Sequence, residues 1–235
     1  MLLYSNFCRE TLDQTGIPTQ FSLKYPENFN FGYDVVDVLG RENPDGLAVM
    51  WCNTDGEEKR LTYRDIMELS NRAANAFAAQ GIRKGDRVLV ILKRNWEYWY
   101  VAPALHKLGA VMIPATHLLT VEDLVYRIGK GEITAAVATP EGDTVHDLLL
   151  AQQRCPELHT IFVPRKSIEG CIQLEKAMEA ASPVLERVET KVTDPMMIYF
   201  TSGTTGYPKA VTHNHTYPLS HIITARYWHG VVESG

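Results

Sequence analysis

The sequence predicts an α/β fold in which a parallel sheet is layered with helices. Short apolar segments rich in β-branched residues alternate along the chain with longer segments of helical periodicity. Turn formers and helix-capping residues separate the two kinds of segment. Strands that alternate with helices of this length are typical of a parallel sheet covered on both faces.

The first elements of this pattern follow residue 46. Residues 47–52 and 58–61 are apolar or alternating segments on either side of a turn, and they predict a β-hairpin. Thr62 and Asp65 then match a capping box, in which the threonine oxygen accepts an orphan backbone N–H. We expect the helix that begins there to end at Gly81.

The rest of the chain continues the alternation. Asn95 is expected to cap the helix that follows it, at residues 96–109, and Thr120 and Asp123 then repeat the capping-box pattern. Strands are predicted at residues 86–92, 111–114, 134–138, 160–163, 196–200 and 209–212. Helices are predicted at residues 96–109, 121–128, 143–154, 172–181 and 219–229.

Two regions differ in character. Residues 1–45 contain aromatic residues and turn formers without a clear period, so we expect an irregular segment that wraps a larger body. Residues 46–235 are expected to form part of a single α/β domain.

Composition excludes several classes of protein. The net charge of −5 and the absence of a basic stripe argue against nucleic-acid binding. No apolar run approaches the roughly 18 residues of a membrane span, and no signal peptide is apparent, so we expect a soluble cytoplasmic protein. Four widely spaced cysteines are expected to be reduced thiols: Cys8, Cys52, Cys155 and Cys171.

The most informative segment is residues 201–209, TSGTTGYPK, directly after a predicted strand. Glycine lets the backbone approach an anion closely, hydroxyl groups add donors, and lysine adds a positive charge. A polyphosphate is the ligand that suits such a loop. The candidate binding residues are Thr201, Ser202, Gly203, Thr204, Thr205, Gly206 and Lys209, with Lys209 as the candidate catalytic residue.

Two alternative interpretations of this loop are weaker. A surface hairpin rich in turn residues would explain the glycines but not the whole nine-residue string. A Walker A loop needs glycine immediately before its lysine and a hydroxyl residue after it, whereas Pro208 and Ala210 occupy those positions.

Residues 199–211, YFTSGTTGYPKAV, resemble the phosphate loop of the adenylate-forming superfamily, which includes acyl-CoA synthetases, luciferases and peptide-synthetase adenylation domains. Residues 61–63, 85–88 and 107–111 resemble further segments of the same N-terminal half, in order and spacing. Residues 115–128 and 213–228 are most similar to the medium-chain acyl-CoA synthetase branch.

This resemblance implies a two-step reaction that uses ATP, Mg²⁺ and coenzyme A. A carboxylic acid is activated as acyl-AMP with release of pyrophosphate, and the CoA thiol then displaces AMP. The 201–206 segment would surround the β- and γ-phosphates, and Lys209 would stabilise the same charge. The family's adenine-contacting, ribose-binding and C-terminal segments are not found here.

We therefore expect the N-terminal part of a carboxylate–CoA ligase that is inactive alone. The alternative is a natural short product that binds nucleotide weakly, or that acts with a separate C-terminal piece.

Other candidate residues admit two interpretations. His213 and His215 could belong to a metal site, but packing or solvent-facing histidines are favoured because no third ligand is apparent. Tyr227 and Trp228 could line an acyl pocket, although core packing is favoured. Four upstream aromatic residues are expected to pack a helix against the sheet: Trp96, Tyr98, Trp99 and Tyr100.

Overall fold

A seven-stranded sheet forms the centre of the protein in a computed structural model that describes residues 3–202 and 206–231. In chain order the strands are β1 (Cys8–Leu12), β2 (Pro18–Leu23), β3 (Leu47–Cys52), β4 (Glu58–Thr62), β5 (Arg87–Ile91), β6 (Val111–Pro114), β7 (Ile133–Ala138), β8 (Thr160–Val163), β9 (Ile172–Gln173), β10 (Pro195–Thr201) and β11 (Lys209–Asn214). The helices are α1 (Asp37–Glu42), α2 (Tyr63–Ala79), α3 (Tyr98–Leu108), α4 (Val121–Gly131), α5 (Thr144–Gln152), α6 (Leu174–Glu179) and α7 (Tyr217–Ser220).

The main sheet has the order β11-β10-β6-β5-β7-β8-β9. Every neighbouring pair is parallel except β10 and β11, which are antiparallel. The hairpins β1–β2 and β3–β4 form separate two-stranded sheets. The predicted α/β fold with a helix-layered parallel sheet is confirmed.

Each face of the sheet packs against its own layer of helices. Successive side chains of a strand point to opposite faces, so Val88 and Val90 of β5 join the core beneath α2, α3 and α6. Leu89 and Ile91 join the core beneath α4 and α5. Burying an aliphatic side chain of this size stabilises a fold by about 1.5–3 kcal/mol, which explains why β5 occupies the centre of the sheet.

Both capping boxes form as predicted. The side chain of Thr62 accepts a hydrogen bond from the backbone N–H of Asp65, and Thr120 does the same with Asp123. The prediction for Asn95 is wrong. The following helix begins only at Tyr98, and the Asn95 amide instead donates to Glu141 Oε2 at 3.2 Å. A contact with the segment after β7 therefore replaces the local cap.

Two predicted helices are shorter than expected. Within residues 172–181 the chain first adds β9 to the edge of the sheet, and only α6 is helical. Residues 219–229 do not form one helix, because α7 ends at Ser220 and a wide π-helical turn covers Thr224–Trp228. Leu219 is the one buried residue of these last two elements, and short helices without a packed face have little stability.

The expectation that residues 1–45 are irregular is wrong. This segment contains the β1–β2 hairpin and a helical stretch in which a π-helical turn, Gly32–Val36, leads into α1. The Asn30 amide donates to the carbonyl of His106 at 2.7 Å and to Thr190 Oγ1 at 3.2 Å. Specific hydrogen bonds therefore connect the segment to α3.

Over the part of the chain that the structure describes, no helix has the length and apolar character needed to cross a bilayer. All four cysteines are free thiols, as predicted.

Candidate functional site

The phosphate-loop sequence connects β10 to β11 at the carboxyl edge of the sheet. Thr201 and Lys209 are the last paired residues of the two strands, so residues 202–208 form the connection. Three consecutive buried residues, Met196, Met197 and Ile198, anchor β10 in the core. In open α/β sheets, ligands bind outside the carboxyl ends of the strands, and the loop occupies such a position.

The structure brings the described candidate residues to one exposed region. Thr201, Ser202, Gly206 and Lys209 are all exposed, while Gly203, Thr204 and Thr205 lie outside the described residues. Thr201 and Lys209 are directly opposite each other across the strand pair, and residues in that relationship carry their side chains on the same face. A hydroxyl group and an ammonium group therefore share one face at the base of the loop.

Lys209 is available to an anionic ligand. Among residues 3–202 and 206–231, its ammonium group has no carboxylate partner, and its side chain is exposed. Gly206 has φ +111, a conformation that L side chains rarely adopt, although nothing lies within 4 Å of a Cβ built there. The backbone conformation therefore favours glycine at position 206, although a Cβ there would meet no neighbouring atom. These features fit a polyphosphate.

One aromatic residue outside the motif contacts the loop. Tyr126 of α4 stacks on Tyr207, with ring centroids 4.6 Å apart and an interplanar angle of 20°. Its hydroxyl group donates to the Pro208 carbonyl at 3.0 Å. Sequence reasoning missed Tyr126, because the contact joins residues 82 positions apart and no local motif marks it.

A polar cluster at the same edge was also missed. The Arg165 guanidinium lies 2.9 Å (Nε) from Glu97 Oε1 and 2.8 Å (Nη2) from Glu141 Oε1. Glu97 is fully buried, and burial raises the pKa of its carboxyl group. These residues lie in the segments that follow β5, β7 and β8, and charged residues after buried strands were the signal available in the sequence.

The two histidines after the loop are packing residues. The His213 ring lies 4.1 Å from the Tyr217 ring and 5.7 Å from the Tyr199 ring. His215 is buried, and desolvation lowers its pKa to about 4. The described residues contain no group of three or more histidine, cysteine, aspartate or glutamate side chains arranged to hold a metal ion.

The aromatic predictions are only partly correct. Tyr100 is buried as expected, but Trp99 is 52% exposed, so it does not pack against the sheet. The prediction that Trp228 packs in the core is also wrong, because its side chain is 84% exposed. A cleft of about 450 Å³ near the end of β11 is lined by other residues: Thr193, Pro195, Thr212, His213, Asn214, Thr216, Tyr217 and Ser220.

Comparison with solved structures supports the fold. An acyl-CoA synthetase from Brucella canis superposes with a TM-score of 0.77 at 24% identity, covering 88% of this chain and 37% of that one. The anthranilate CoA ligase AuaEII, solved in complex with anthranoyl-AMP, gives a TM-score of 0.73 at 23% identity, covering 87% and 38%.

Sequence relatives are more similar. Human acyl-coenzyme A synthetase ACSM1, mitochondrial, is 35% identical over 219 residues, which are 88% of this chain and 37% of the relative. Mouse ACSM5, mitochondrial, is also 35% identical, over 89% of this chain and 37% of the relative. The chain thus spans somewhat over a third of the length of these relatives. The resemblance to acyl-CoA synthetases that the phosphate-loop sequence predicted is confirmed. The family described as AMP-binding enzyme matches residues 37–233, and the chain belongs to that family.

Proposed function

We propose that this chain is part of an ATP-dependent carboxylate–CoA ligase and that its 201–209 loop binds the β- and γ-phosphates of ATP. The observation that carries the proposal is the position of Lys209. Its exposed ammonium group shares a strand-pair face with Thr201, at the carboxyl end of β10, and has no ion-pair partner in the described parts of the chain. Membership of the AMP-binding enzyme family and the names of the relatives support the same function.

In the proposed reaction, a carboxylate oxygen attacks the α-phosphorus of ATP, and the bond to the pyrophosphate oxygen breaks. The CoA sulfur then attacks the acyl carbon, and AMP leaves. Negative charge accumulates on the pyrophosphate during the first step. Lys209 and the loop hydroxyl groups would stabilise that charge and hold the nucleotide in line, without acting as nucleophiles.

Mg²⁺ would neutralise phosphate charge when bound with the nucleotide. In proteins it is commonly held by substrate phosphates, water and one or two carboxylates. We assign no described residue to it. The proposed substrate is a fatty or other carboxylic acid, as in the medium-chain branch that residues 115–128 and 213–228 resemble.

We further propose that residues 46–235 are part of the adenylation domain and that turnover needs sequence beyond the portion of the relatives that this chain spans. A second candidate function is nucleotide binding without turnover, alone or together with a separate C-terminal piece. This alternative stays open because the chain spans only 37% of the length of relatives such as human ACSM1 and mouse ACSM5.

The test has two arms. The first is calorimetric titration of the 235-residue chain with Mg·ATP, for which we expect saturable binding; no binding would contradict the proposed role of the loop. The second is carboxylate-dependent ATP–pyrophosphate exchange with short, medium and aromatic acids. We expect no exchange by the chain alone. Exchange with any acid would identify the substrate class and would contradict the need for further sequence.

The cytoplasm is our proposed location, on the basis of the sequence alone. The relatives named above are called mitochondrial. Imaging of the chain fused to a fluorescent protein would distinguish the two, and fluorescence confined to mitochondria would contradict the proposal.

A further inference from the structure

The outgoing limb of the phosphate loop, residues 206–208, is held by contacts from outside the loop. Among the residues that the structure describes, the β10–β11 ladder ends at the pair Thr201 and Lys209. Gly206 at φ +111 adds no side chain that could fix the backbone. Contacts with neighbouring elements add restraint to this limb beyond that of the strand pair.

Tyr126 supplies two of these contacts. Its ring stacks on Tyr207, whose side chain is otherwise directed to solvent and is 75% exposed. Its hydroxyl group binds the carbonyl of Pro208, the next residue. A stacked ring and a hydrogen bond on consecutive residues restrain both the position and the direction of the backbone.

The same helix also contacts the incoming strand. The Tyr126 ring lies 6.4 Å from the Phe200 ring in an edge-on arrangement, and the Arg127 guanidinium lies 5.3 Å from the Phe200 ring. The helix is itself well fixed, because Leu124 and Ile128 are buried and a capping box closes its first turn. Helix α4 therefore contacts both the end of β10 and the outgoing limb of the loop.

We propose that Tyr126 is a positioning residue for polyphosphate binding, which holds residues 206–208 in the conformation that receives the ligand. This inference rests on the proposed function of the loop. Tyr126 acts through Tyr207 and Pro208 and not through the ligand. A loop that is ordered before binding loses less conformational entropy when the ligand arrives, so removing the support should weaken affinity.

The first readout is amide hydrogen exchange across residues 199–210 of the 235-residue chain without ligand. Tyr126→Phe keeps the stacked ring and removes the hydrogen bond, whereas Tyr126→Leu removes both. We expect exchange of the hydrogen-bonded β10–β11 amides within residues 199–210 to accelerate about 2- to 10-fold in the first variant and about 5- to 100-fold in the second.

Two matched controls separate positioning from general destabilisation. Ile128→Val removes one buried methyl group from the same helix without a contact to the loop, and Tyr25→Phe removes an exposed hydroxyl group elsewhere. Both controls should leave exchange in residues 199–210 at the wild-type rate. Equal rates in Tyr126→Leu and Ile128→Val would overturn the proposal.

The second readout is affinity for inorganic tripolyphosphate. We expect the dissociation constant to rise in the order wild type, Tyr126→Phe, Tyr126→Leu, with Tyr126→Phe recovering part of the affinity that Tyr126→Leu loses. Faster exchange with unchanged affinity would overturn the positioning role. If the wild-type chain bound no tripolyphosphate, the proposed function would fail, while the exchange rates would still report whether Tyr126 holds the loop.

Discussion

The Lys107 ammonium lies 2.5 Å from Asp37 Oδ1, and both side chains are buried. The same ammonium group donates to Ser70 Oγ at 2.8 Å and to Asn71 Oδ1 at 2.7 Å. Burial lowers the pKa of Lys107 and raises the pKa of Asp37. One buried cation therefore joins α1, α2 and α3, and this explains why the N-terminal segment is ordered on the α/β body.

Replacing this cation should destabilise the protein strongly. Lys107→Met leaves the Asp37 carboxylate buried without its partner, so we expect a loss of about 3–5 kcal/mol in the free energy of unfolding. Adding Asp37→Asn should recover part of the loss, because the amide carries no charge. Urea unfolding measures both effects, and a single-variant loss below about 1 kcal/mol would contradict the arrangement.

Removing Arg165 should destabilise the fold, because the buried Glu97 carboxylate would lose its ion-pair partner. Arg165 is itself about one-third exposed, so we expect Arg165→Ala to cost a moderate amount, about 1–3 kcal/mol. The pKa of Glu97 is raised by burial, and its protonated form needs no counter-charge. The cost relative to wild type should therefore shrink as the pH is lowered, and Glu97→Gln should remove most of it. A pH-independent cost would show that the charge is not its origin.

Two buried histidines should make the fold sensitive to acid. Burial lowers the pKa of His106 to about 3 and that of His215 to about 4. His106 and His215 repel each other when charged, while Asp194 favours and Lys84 opposes the charged form of His215. None of their ring nitrogens has a hydrogen-bond partner within the described segments.

The sign of the effect follows from proton binding. Between the unfolded pKa of about 6.5 and the lowered folded values, the unfolded chain binds more protons, so stability falls as the pH drops. Each histidine contributes a slope of up to about 1.4 kcal/mol per pH unit. We expect His106→Gln with His215→Gln to flatten this slope between pH 6.5 and 4. An unchanged slope in the double variant would contradict the assignment.

Gly109 should tolerate alanine less well than Gly81. Both glycines have positive φ, at +68 and +90, but only a Cβ on Gly109 meets close neighbours, at 2.9 Å from Thr190 and 3.0 Å from Lys84. Backbone strain alone should cost Gly81→Ala about 1–2 kcal/mol. Gly109→Ala should cost more because the side chains must also move. Thermal or urea unfolding of the pair measures the difference, and equal costs would mean that the neighbours adjust freely.

Much of the fold could be predicted because its signals are local. The capping boxes at Thr62 and Thr120 use residues three positions apart, and the core strands are continuous apolar segments. Two of the failed predictions depended on contacts between distant parts of the chain. Asn95 binds Glu141 instead of capping its own helix, and the N-terminal segment acquires its structure with contacts to α2 and α3.

The candidate site shows the same division. Residues 201–209 carry their signal within nine consecutive positions, so the loop could be recognised from sequence. Tyr126 could not, because its contact with the loop forms only when α4 and the β10–β11 connection meet at one edge of the sheet, and for Arg165 the sequence offered only a general signal, a charged residue after a buried strand. Side chains that support a loop need no fixed spacing from it.

The most direct test of the central claim is titration with tripolyphosphate of the wild-type chain, Lys209→Ala and Lys191→Ala. Lys191 is an exposed lysine near the opposite end of β10, so its variant removes the same charge away from the loop. We expect Lys209→Ala to weaken binding about 10- to 100-fold, as for the loss of a charged hydrogen-bond donor, and Lys191→Ala to bind as the wild type does. Equal affinities for all three chains would contradict a polyphosphate site at residues 201–209.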